Sequence, residues 1–238
     1  MDKVTFYIAR HGKTMMNTLD RVQGWCDSPL TNEGIRVARY LGCGLKDMHF
    51  RSAYCSDLRR TRQTAEIILA AKGQEEMPVT EIPGFKEVCF GHFEADLNSV
   101  MWGEAGKRFG YHTLDEMSQA FARKEVDFRD ILRVIKEIDT FGMAESYEEV
   151  ENRTQKALTE LALAEERKGE GNVLIIAHGM SILAMLSSLG GQKLLDGTLE
   201  NASVCKVTYE GGGFSVESMG DMSYVAKGAR QGKDQSSL

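Results

Sequence analysis

Short apolar runs alternate with amphipathic segments along most of the chain. The runs at residues 4–9 (VTFYIA) and 173–177 (VLIIA) are typical of buried strands. Ile35, Ala38 and Leu41 recur at helical spacing after the capping residue Thr31, which predicts a helix there. The same patterns predict a strand at 52–56, an edge strand at 77–83, a hairpin at 202–220, and helices at 57–73, 146–172 and 182–190.

This alternation of strands and helices predicts an α/β fold. We expect three layers, with a mostly parallel central sheet and helices on both of its faces. Residues 84–145 fit this pattern poorly and carry several aromatic residues on short helical repeats, so we predict a helical lid insertion at about residues 92–145. Residues 1–238 are expected to form one domain, and the last dozen residues, rich in Gly, Lys, Gln and Ser, a loose tail.

Composition narrows the function. Hydrophobic residues make up 42% of the 238, which permits a sizeable core, and the formal net charge of −6 argues against a nucleic-acid or anionic-membrane partner. The five cysteines are scattered and include no C-x-x-C pair, so free thiols in a reducing compartment are expected. We see no signal peptide and no apolar stretch of membrane-spanning length, and therefore expect a cytoplasmic protein.

Two of the predicted strands end in the same way. Residues 8–12 read IARHG and residues 176–181 read IAHGMS, so each strand finishes on a histidine followed by a glycine. Ligands of open α/β sheets bind beyond the carboxyl ends of the strands, and His11 and His178 should meet there if both strands are central. A single histidine at the end of a strand usually has only a structural, hydrogen-bonded role. Two histidines in the same setting favour a ligand-binding site.

An arginine cluster suggests what such a site binds. Arg59, Arg60 and Arg62 begin a helix directly after a strand, where cations oppose the helix dipole. A solvated helix face accounts for most of them, yet one arginine pointing back over the strand ends would match a phosphate through two parallel hydrogen bonds.

Five blocks, in order and spacing, carry a clear resemblance: ARHGKTMMN, QGWCDSPLTNEG, CSDLRRTRQTAE, FKEVCFGHFE and IIAHGMS. Over residues 4 to about 215 the chain resembles the histidine phosphatase superfamily, the phosphoglycerate mutase-like proteins. The resemblance implies that His11 is the nucleophile that takes the phosphoryl group and that Glu87 is the proton donor. Arg10, Arg60 and His178 would complete the catalytic set around the phosphate.

The resemblance also implies which residues bind the substrate and which groups are not needed. Phosphoryl transfer rests mainly on positioning and on neutralising oxygen charge, so neither a metal nor a cofactor is expected. Substrate contacts are expected from Arg10, Asn17, Gln23, Gly24, Arg60, Glu87, His178 and Gly179. A structural role remains open for Gln23, and both a substrate contact and a structural role remain open for His92.

Three functions fit this resemblance. The short segment after Glu87 and the lack of proline and of an Arg-Arg pair in residues 95–140 favour a phosphatase that acts on a small phosphorylated metabolite. A phosphoglycerate mutase is the alternative, and a non-catalytic binder of phosphorylated ligands is the second alternative. A cysteine-dependent phosphatase is excluded, because no cysteine is followed by Arg at the sixth position. The oligomeric state is open, and a homodimer is one expectation because many relatives are dimers.

Overall fold

A computed structural model describes residues 2–190 and 199–235. Six strands among these residues form one sheet in the order β3-β2-β4-β1-β5-β6. The strands are β1 (Val4–Arg10), β2 (Phe50–Cys55), β3 (Val79–Glu81), β4 (Gly171–Ala177), β5 (Val204–Glu210) and β6 (Gly213–Asp221). β3, β2, β4 and β1 are parallel to one another, whereas β5 is antiparallel to both β1 and β6, so the predicted mostly parallel α/β sheet is confirmed.

Helices cover both faces of this sheet. The described helices are α1 (Met15–Thr18), α2 (Asn32–Gly44), α3 (Arg59–Lys72), α4 (Asn98–Arg108), α5 (Leu114–Ala122), α6 (Phe128–Ile138), α7 (Tyr147–Glu166), α8 (Gly179–Ser187) and α9 (Ser223–Gln235). Alternate residues of β1 face opposite ways: Phe6 and Ile8 pack in the core under α7 and α8, and Tyr7 and Ala9 in the core under α2 and α3. Burial on both faces explains why the strand is a continuous apolar run.

The segment between β3 and α7 has a third apolar core. Helices α4, α5 and α6 pack around buried residues that include Met101, Met117, Ile131 and Leu132. This core also contains Val22 from the loop after α1, which ties the helical insertion to the carboxyl end of the sheet. No helix of the described residues is both long and apolar enough to cross a membrane.

The prediction of a loose C-terminal tail was wrong for the residues that the structure describes. Helix α9 continues to Gln235 and packs against α2, while residues 236–238 lie outside the described part of the chain. Two glycines allow the helices to touch, since a Cβ on Gly44 would lie 1.9 Å from the Tyr224 carbonyl oxygen and one on Gly228 1.8 Å from that of Tyr40. A glycine-rich composition therefore marks close helix packing here rather than disorder.

Candidate active site

The strand register brings the two histidines together. Arg10 on β1 is paired with Ala177 on β4, so the next residues, His11 and His178, emerge side by side at the carboxyl edge of the sheet. The His11 amide continues the ladder by donating to the Ala177 carbonyl at 3.0 Å. The two imidazole centroids lie 5.2 Å apart, and both side chains are buried.

One hydrogen bond fixes the tautomer of His11. Its Nδ1 lies 2.8 Å from the Gly12 carbonyl oxygen, which can only accept, so Nδ1 carries the proton and Nε2 keeps its lone pair. Burial lowers the pKa of His11 well below its usual value, and the charges of Arg60 and Arg10 lower it further. His11 is therefore neutral at pH 7, which is the form that a nucleophile requires.

His178 is held from the neighbouring strand. Its Nε2 lies 2.8 Å from the hydroxyl of Ser56, the residue after β2, and that hydroxyl lies 2.9 Å from Thr61 Oγ1. The other ring nitrogen, Nδ1, is buried and has no partner among the described residues. Burial lowers the pKa of His178 well below its usual value, with Arg60 and His11 adding to the shift.

Arg60 is the arginine of the cluster that turns inward. It is 1% exposed and donates to the carbonyl oxygens of Gly24 (2.7 Å) and Cys26 (2.8 Å), while Asp27 accepts a bond at 3.1 Å. Its Nε is buried without a partner in the described chain. Of the two flanking arginines, Arg62 pairs with Glu81 at 2.7 Å and Arg59 is exposed, as expected for a solvated face.

Arg10 supplies a second cation with an uncommitted donor. Its guanidinium donates to the Leu199 carbonyl, and its Nε is buried without a partner among the described residues. A Cβ on Gly179 would lie 3.4 Å from that Nε, in ordinary van der Waals contact, so α8 begins against the guanidinium. Two buried N–H groups of guanidinium ions are thus left for an anion, since buried donors are ordinarily paired.

Glu87 lies at the start of α8. Its carboxylate accepts hydrogen bonds from the amides of Ser181 (2.8 Å), Met180 (3.2 Å) and Val88 (3.0 Å). Burial raises the pKa of Glu87, and the Val88 amide, Arg60 and the α8 amides oppose part of that rise. A carboxyl with a raised pKa beside a basic site is suited to carrying a proton to a leaving group.

The other predicted contact residues lie close by. Asn17 caps α1 through its Oδ1, 3.1 Å from the Thr14 amide, and lines the cavity that also contains Arg10 and Glu87. Gln23 lines the same cavity; its Oε1 accepts from Thr14 Oγ1 at 2.5 Å, and its Nε2 is buried without a partner in the described chain. Gly24 acts through its backbone, because its carbonyl holds Arg60 and a Cβ there would lie 2.0 Å from the Val88 carbonyl oxygen.

Glu94 has a role that sequence reasoning missed. Its carboxylate accepts from four backbone amides, those of Gly24 (3.2 Å), Trp25 (2.9 Å), Cys26 (2.9 Å) and Phe90 (3.0 Å). Residues 24–26, which we call the Gly24 loop, hold Arg60 through the carbonyls of Gly24 and Cys26. Glu94 therefore positions Arg60 without touching it. The quoted block FKEVCFGHFE contains Glu94, but nothing local indicates which amides it binds.

Arg153 plays a similar part for Glu87. From α7 it donates to the carbonyl oxygens of Lys86 (2.7 Å) and Glu87 (2.8 Å), and it pairs with Glu145 at 2.7 Å. Glu145 in turn accepts from the Cys89 amide at 2.9 Å. The backbone that carries Glu87 is thus clamped from both sides.

The side chain of His92 contacts Asp139 and Phe93. Its Nδ1 lies 3.1 Å from Asp139 Oδ1, and its ring stacks against Phe93 with centroids 3.9 Å apart. Burial opposes ionisation of Asp139, but hydrogen bonds from the amides of Ala144 and His92 outweigh it and hold the pKa of that carboxyl well below its usual range. The geometry supports the structural role for His92, closing the turn between the insertion and the sheet.

A cavity of about 260 Å³ extends from Arg10, Gln23 and Glu87 to the insertion. Arg10, Glu87 and Met180 lie on its inner side, and the opposite side is formed by α4 and α6. Within residues 2–190 and 199–235, no three His, Cys, Asp or Glu side chains gather as a metal ion would require.

Comparison with known proteins agrees with this arrangement. The profile of the histidine phosphatase superfamily (branch 1) matches residues 6–222. The probable phosphoglycerate mutase GpmB of Erwinia tasmaniensis is 30% identical over 92% of this chain and 94% of its own. The crystal structure of a phosphoglycerate mutase from Bacillus anthracis is 38% identical, with a TM-score of 0.89 over 96% of this chain and 97% of its own.

A more distant likeness concerns the fold alone. The alpha-ribazole phosphatase from Shigella flexneri is 21% identical, with a TM-score of 0.69 over 91% of this chain and 96% of its own. Proteins named as mutases and as phosphatases thus share this architecture. On the profile match and the relatives together, the chain belongs to the histidine phosphatase superfamily.

Proposed function

We propose that the protein is a phosphomonoester hydrolase that works through a phosphohistidine on His11. The observation that carries this proposal is the His11 Nδ1 bond to the Gly12 carbonyl, which leaves Nε2 unprotonated beside the two uncommitted guanidinium N–H groups of Arg10 and Arg60. A phosphoryl group held by those donors would present its phosphorus to Nε2.

The reaction takes two steps. Nε2 of His11 attacks phosphorus as the bond to the ester oxygen breaks, and Glu87 gives its proton to the departing oxygen. Glu87, now a carboxylate, takes a proton from water, the water oxygen attacks phosphorus, and the N–P bond breaks to release inorganic phosphate. His11 and Glu87 return to their starting protonation states.

The surrounding cations stabilise the charge on the phosphoryl oxygens. Arg10 and Arg60 are fixed in place before substrate arrives, so little reorganisation is needed during the reaction. His178 Nδ1 has no protein partner in the described chain, and it would donate to a phosphoryl oxygen in the tautomer in which the Ser56 hydroxyl donates to Nε2. Metal independence follows from this arrangement and stays a prediction: activity should survive EDTA and be inhibited by vanadate.

Phosphoglycerate mutase is the second candidate, and the names of two relatives favour it. A mutase of this kind must hold a bisphosphate primer, and therefore a second anionic group. Arg21 is the one cation besides Arg10 among the residues lining the described cavity, and residues 95–140 contain no Arg-Arg pair. These observations support hydrolysis over isomerisation.

The test is to trap the intermediate and count the products. After rapid quench with a labelled phosphomonoester, the protein should carry an acid-labile, base-stable phosphate, and His11→Asn should lose both label and turnover while the exposed His112→Asn keeps them. With 3-phosphoglycerate and catalytic 2,3-bisphosphoglycerate, phosphate should appear at least as fast as 2-phosphoglycerate. Rapid isomerisation with negligible phosphate would establish the mutase, and no turnover of p-nitrophenyl phosphate would favour the non-catalytic binder.

We propose a phosphorylated small molecule as substrate, no nucleic-acid or membrane partner, a cytoplasmic location and a homodimer. Size-exclusion chromatography with light scattering would test the last of these.

A further inference from the structure

The cavity beside the phosphate donors has an apolar outer wall. Six apolar side chains of α4 and α6 form it: Met101, Trp102, Phe128, Ile131, Leu132 and Ile135. Arg10 and Glu87 line the inner end, where the ester oxygen would lie, and Asn98 is the polar residue that α4 and α6 contribute to the lining. A leaving group bound there would therefore contact hydrocarbon on the side away from phosphorus.

A second cavity, of about 480 Å³, lies along the same helices. Trp102, Phe128 and Asn98 line both cavities, so the two spaces share a wall. The second one is lined further by Phe121 from α5, whose ring centroid lies 4.8 Å from that of Phe128, and by Leu114 and Met117. Asp20, Ser99 and Ser118 are the other polar residues of its lining besides Asn98. Together the cavities reach the size of ordinary small-molecule sites, roughly 300–1,000 Å³.

No Lys or Arg of the insertion lines either described cavity. Arg129 pairs with Glu148 at 3.1 Å and lies 4.0 Å from the centre of the Tyr147 ring, while Arg133 pairs with Glu137 at 2.9 Å. The cation at the cavity, Arg21, already donates to the Ala95 carbonyl at 2.7 Å. A carboxylate or second phosphate on the leaving group would meet little compensating charge in this space.

We infer that the substrate of this site is a phosphomonoester whose leaving group carries an apolar body, either an alkyl chain or an aromatic ring. This inference rests on the proposed function. The phosphoryl group would bind at His11, and the apolar body would extend under α4 and α6 past Trp102 and Phe128. The aromatic pair at the junction of the two cavities would accept a flat ring or a flexible chain equally.

A series of n-alkyl phosphates tests this directly. Their alcohols are similarly basic, so differences in kcat/KM from butyl through hexyl and octyl to decyl phosphate report binding rather than leaving-group chemistry. We expect kcat/KM to rise about fourfold per methylene, as full burial of a CH₂ implies, until the chain fills the space. Glycerol 3-phosphate and 3-phosphoglycerate should lie below butyl phosphate.

Variants of Phe128 and Phe109 test whether the chain-length dependence of kcat/KM arises at the wall shared by the two cavities. Phe128→Ala should flatten the chain-length dependence, and Phe128→Leu should restore most of it because an apolar side chain returns to the shared wall. Phe109→Ala is the matched control, since Phe109 packs on the same apolar core but is absent from the described walls of both cavities. Equal flattening by the Phe109 and Phe128 variants would mean general loosening of the insertion and would overturn the assignment.

Two readouts separate this inference from the proposed function. Phosphohistidine formation with a flat alkyl series, or with 3-phosphoglycerate preferred over octyl phosphate, would overturn the apolar-body inference alone. If no ester is turned over, the proposed function fails, and n-alkylphosphonates, which cannot be hydrolysed, still test the site by calorimetry. A Kd that tightens with chain length would support the inference, and one independent of chain length would overturn it.

Discussion

Glu94 offers the sharpest test of how the phosphate site is built. Glu94→Gln preserves shape but replaces one carboxylate oxygen with an NH₂ group. Each oxygen of Glu94 accepts from two amides, Oε1 from Trp25 and Phe90 and Oε2 from Gly24 and Cys26, so either orientation of the amide leaves two N–H donors facing another donor. A buried donor that loses its acceptor costs about 1–3 kcal/mol, and because Glu94 is half-buried we expect about 2–4 kcal/mol in total.

Stability and phosphate affinity should fall together in this variant. For a domain of this size the loss corresponds to a drop in Tm of roughly 5–15 °C, measurable by scanning calorimetry. Because the Gly24 loop holds Arg60, we also expect the inhibition constant of inorganic phosphate to rise roughly tenfold, about 1.4 kcal/mol of binding. The exposed Glu160→Gln on α7 is the matched control and should change neither. A Tm within about 2 °C of the parent and an unchanged inhibition constant would refute the reasoning.

Three further predictions concern Arg153, His178 and Gly44. Arg153→Leu removes the hydrogen bonds that hold the Glu87 backbone and should lower the free energy of unfolding in urea by about 2–4 kcal/mol. In single turnovers it should slow phosphoryl transfer from alkyl esters more than from p-nitrophenyl phosphate. Equal slowing of the two esters would contradict the positioning role. His178 is protonated near pH 6.5 in the unfolded chain but stays neutral in the folded chain, so the free energy of unfolding falls as the pH drops below that value. The variant His178→Asn should therefore lose less stability than the parent between about pH 7 and 5. An equal dependence of unfolding free energy on pH in the two proteins would contradict this prediction. Gly44→Ala should destabilise the protein by about 1–3 kcal/mol, because the added methyl group would overpack against α9. Gly103→Ala, at a position with open space for a Cβ, should be neutral or stabilising by up to about 1 kcal/mol. Equal effects of the two substitutions would refute the packing argument.

The central sheet was predictable because its strands are encoded locally. The buried strands β1 and β4 each read as a continuous apolar run, and the shared His-Gly ending predicted their meeting at one edge of the sheet. The resemblance then identified Arg60 within a cluster of arginines, where helical spacing alone could not decide between an inward and an outward side chain. These residues are recognisable because their signal lies within a few positions of each other.

The supporting contacts were not predictable, since their partners are distant in sequence. Glu94 binds amides about 70 positions earlier, and Arg153 clamps carbonyls about 66 positions earlier. A Glu or an Arg in a sequence does not by itself indicate that it binds the backbone of a distant segment, because charged residues are usually solvated. The tail prediction failed for a related reason, as the close approach of Gly44 and Gly228 depends on two helices that lie far apart in the chain.

The position of β1 has a consequence for biosynthesis. This strand, which carries the proposed nucleophile at its end, precedes the other five strands but lies between two that are made much later: Val4 is paired with Gly171 on β4 and with Tyr209 on β5. At about 5–20 residues per second, roughly 8–30 s pass before the first of these neighbours has been synthesised. During that interval the apolar run is an unpaired strand, the kind of segment that aggregates or recruits chaperones. The yield of folded protein, more than the turnover of each molecule, should therefore depend on the speed of translation.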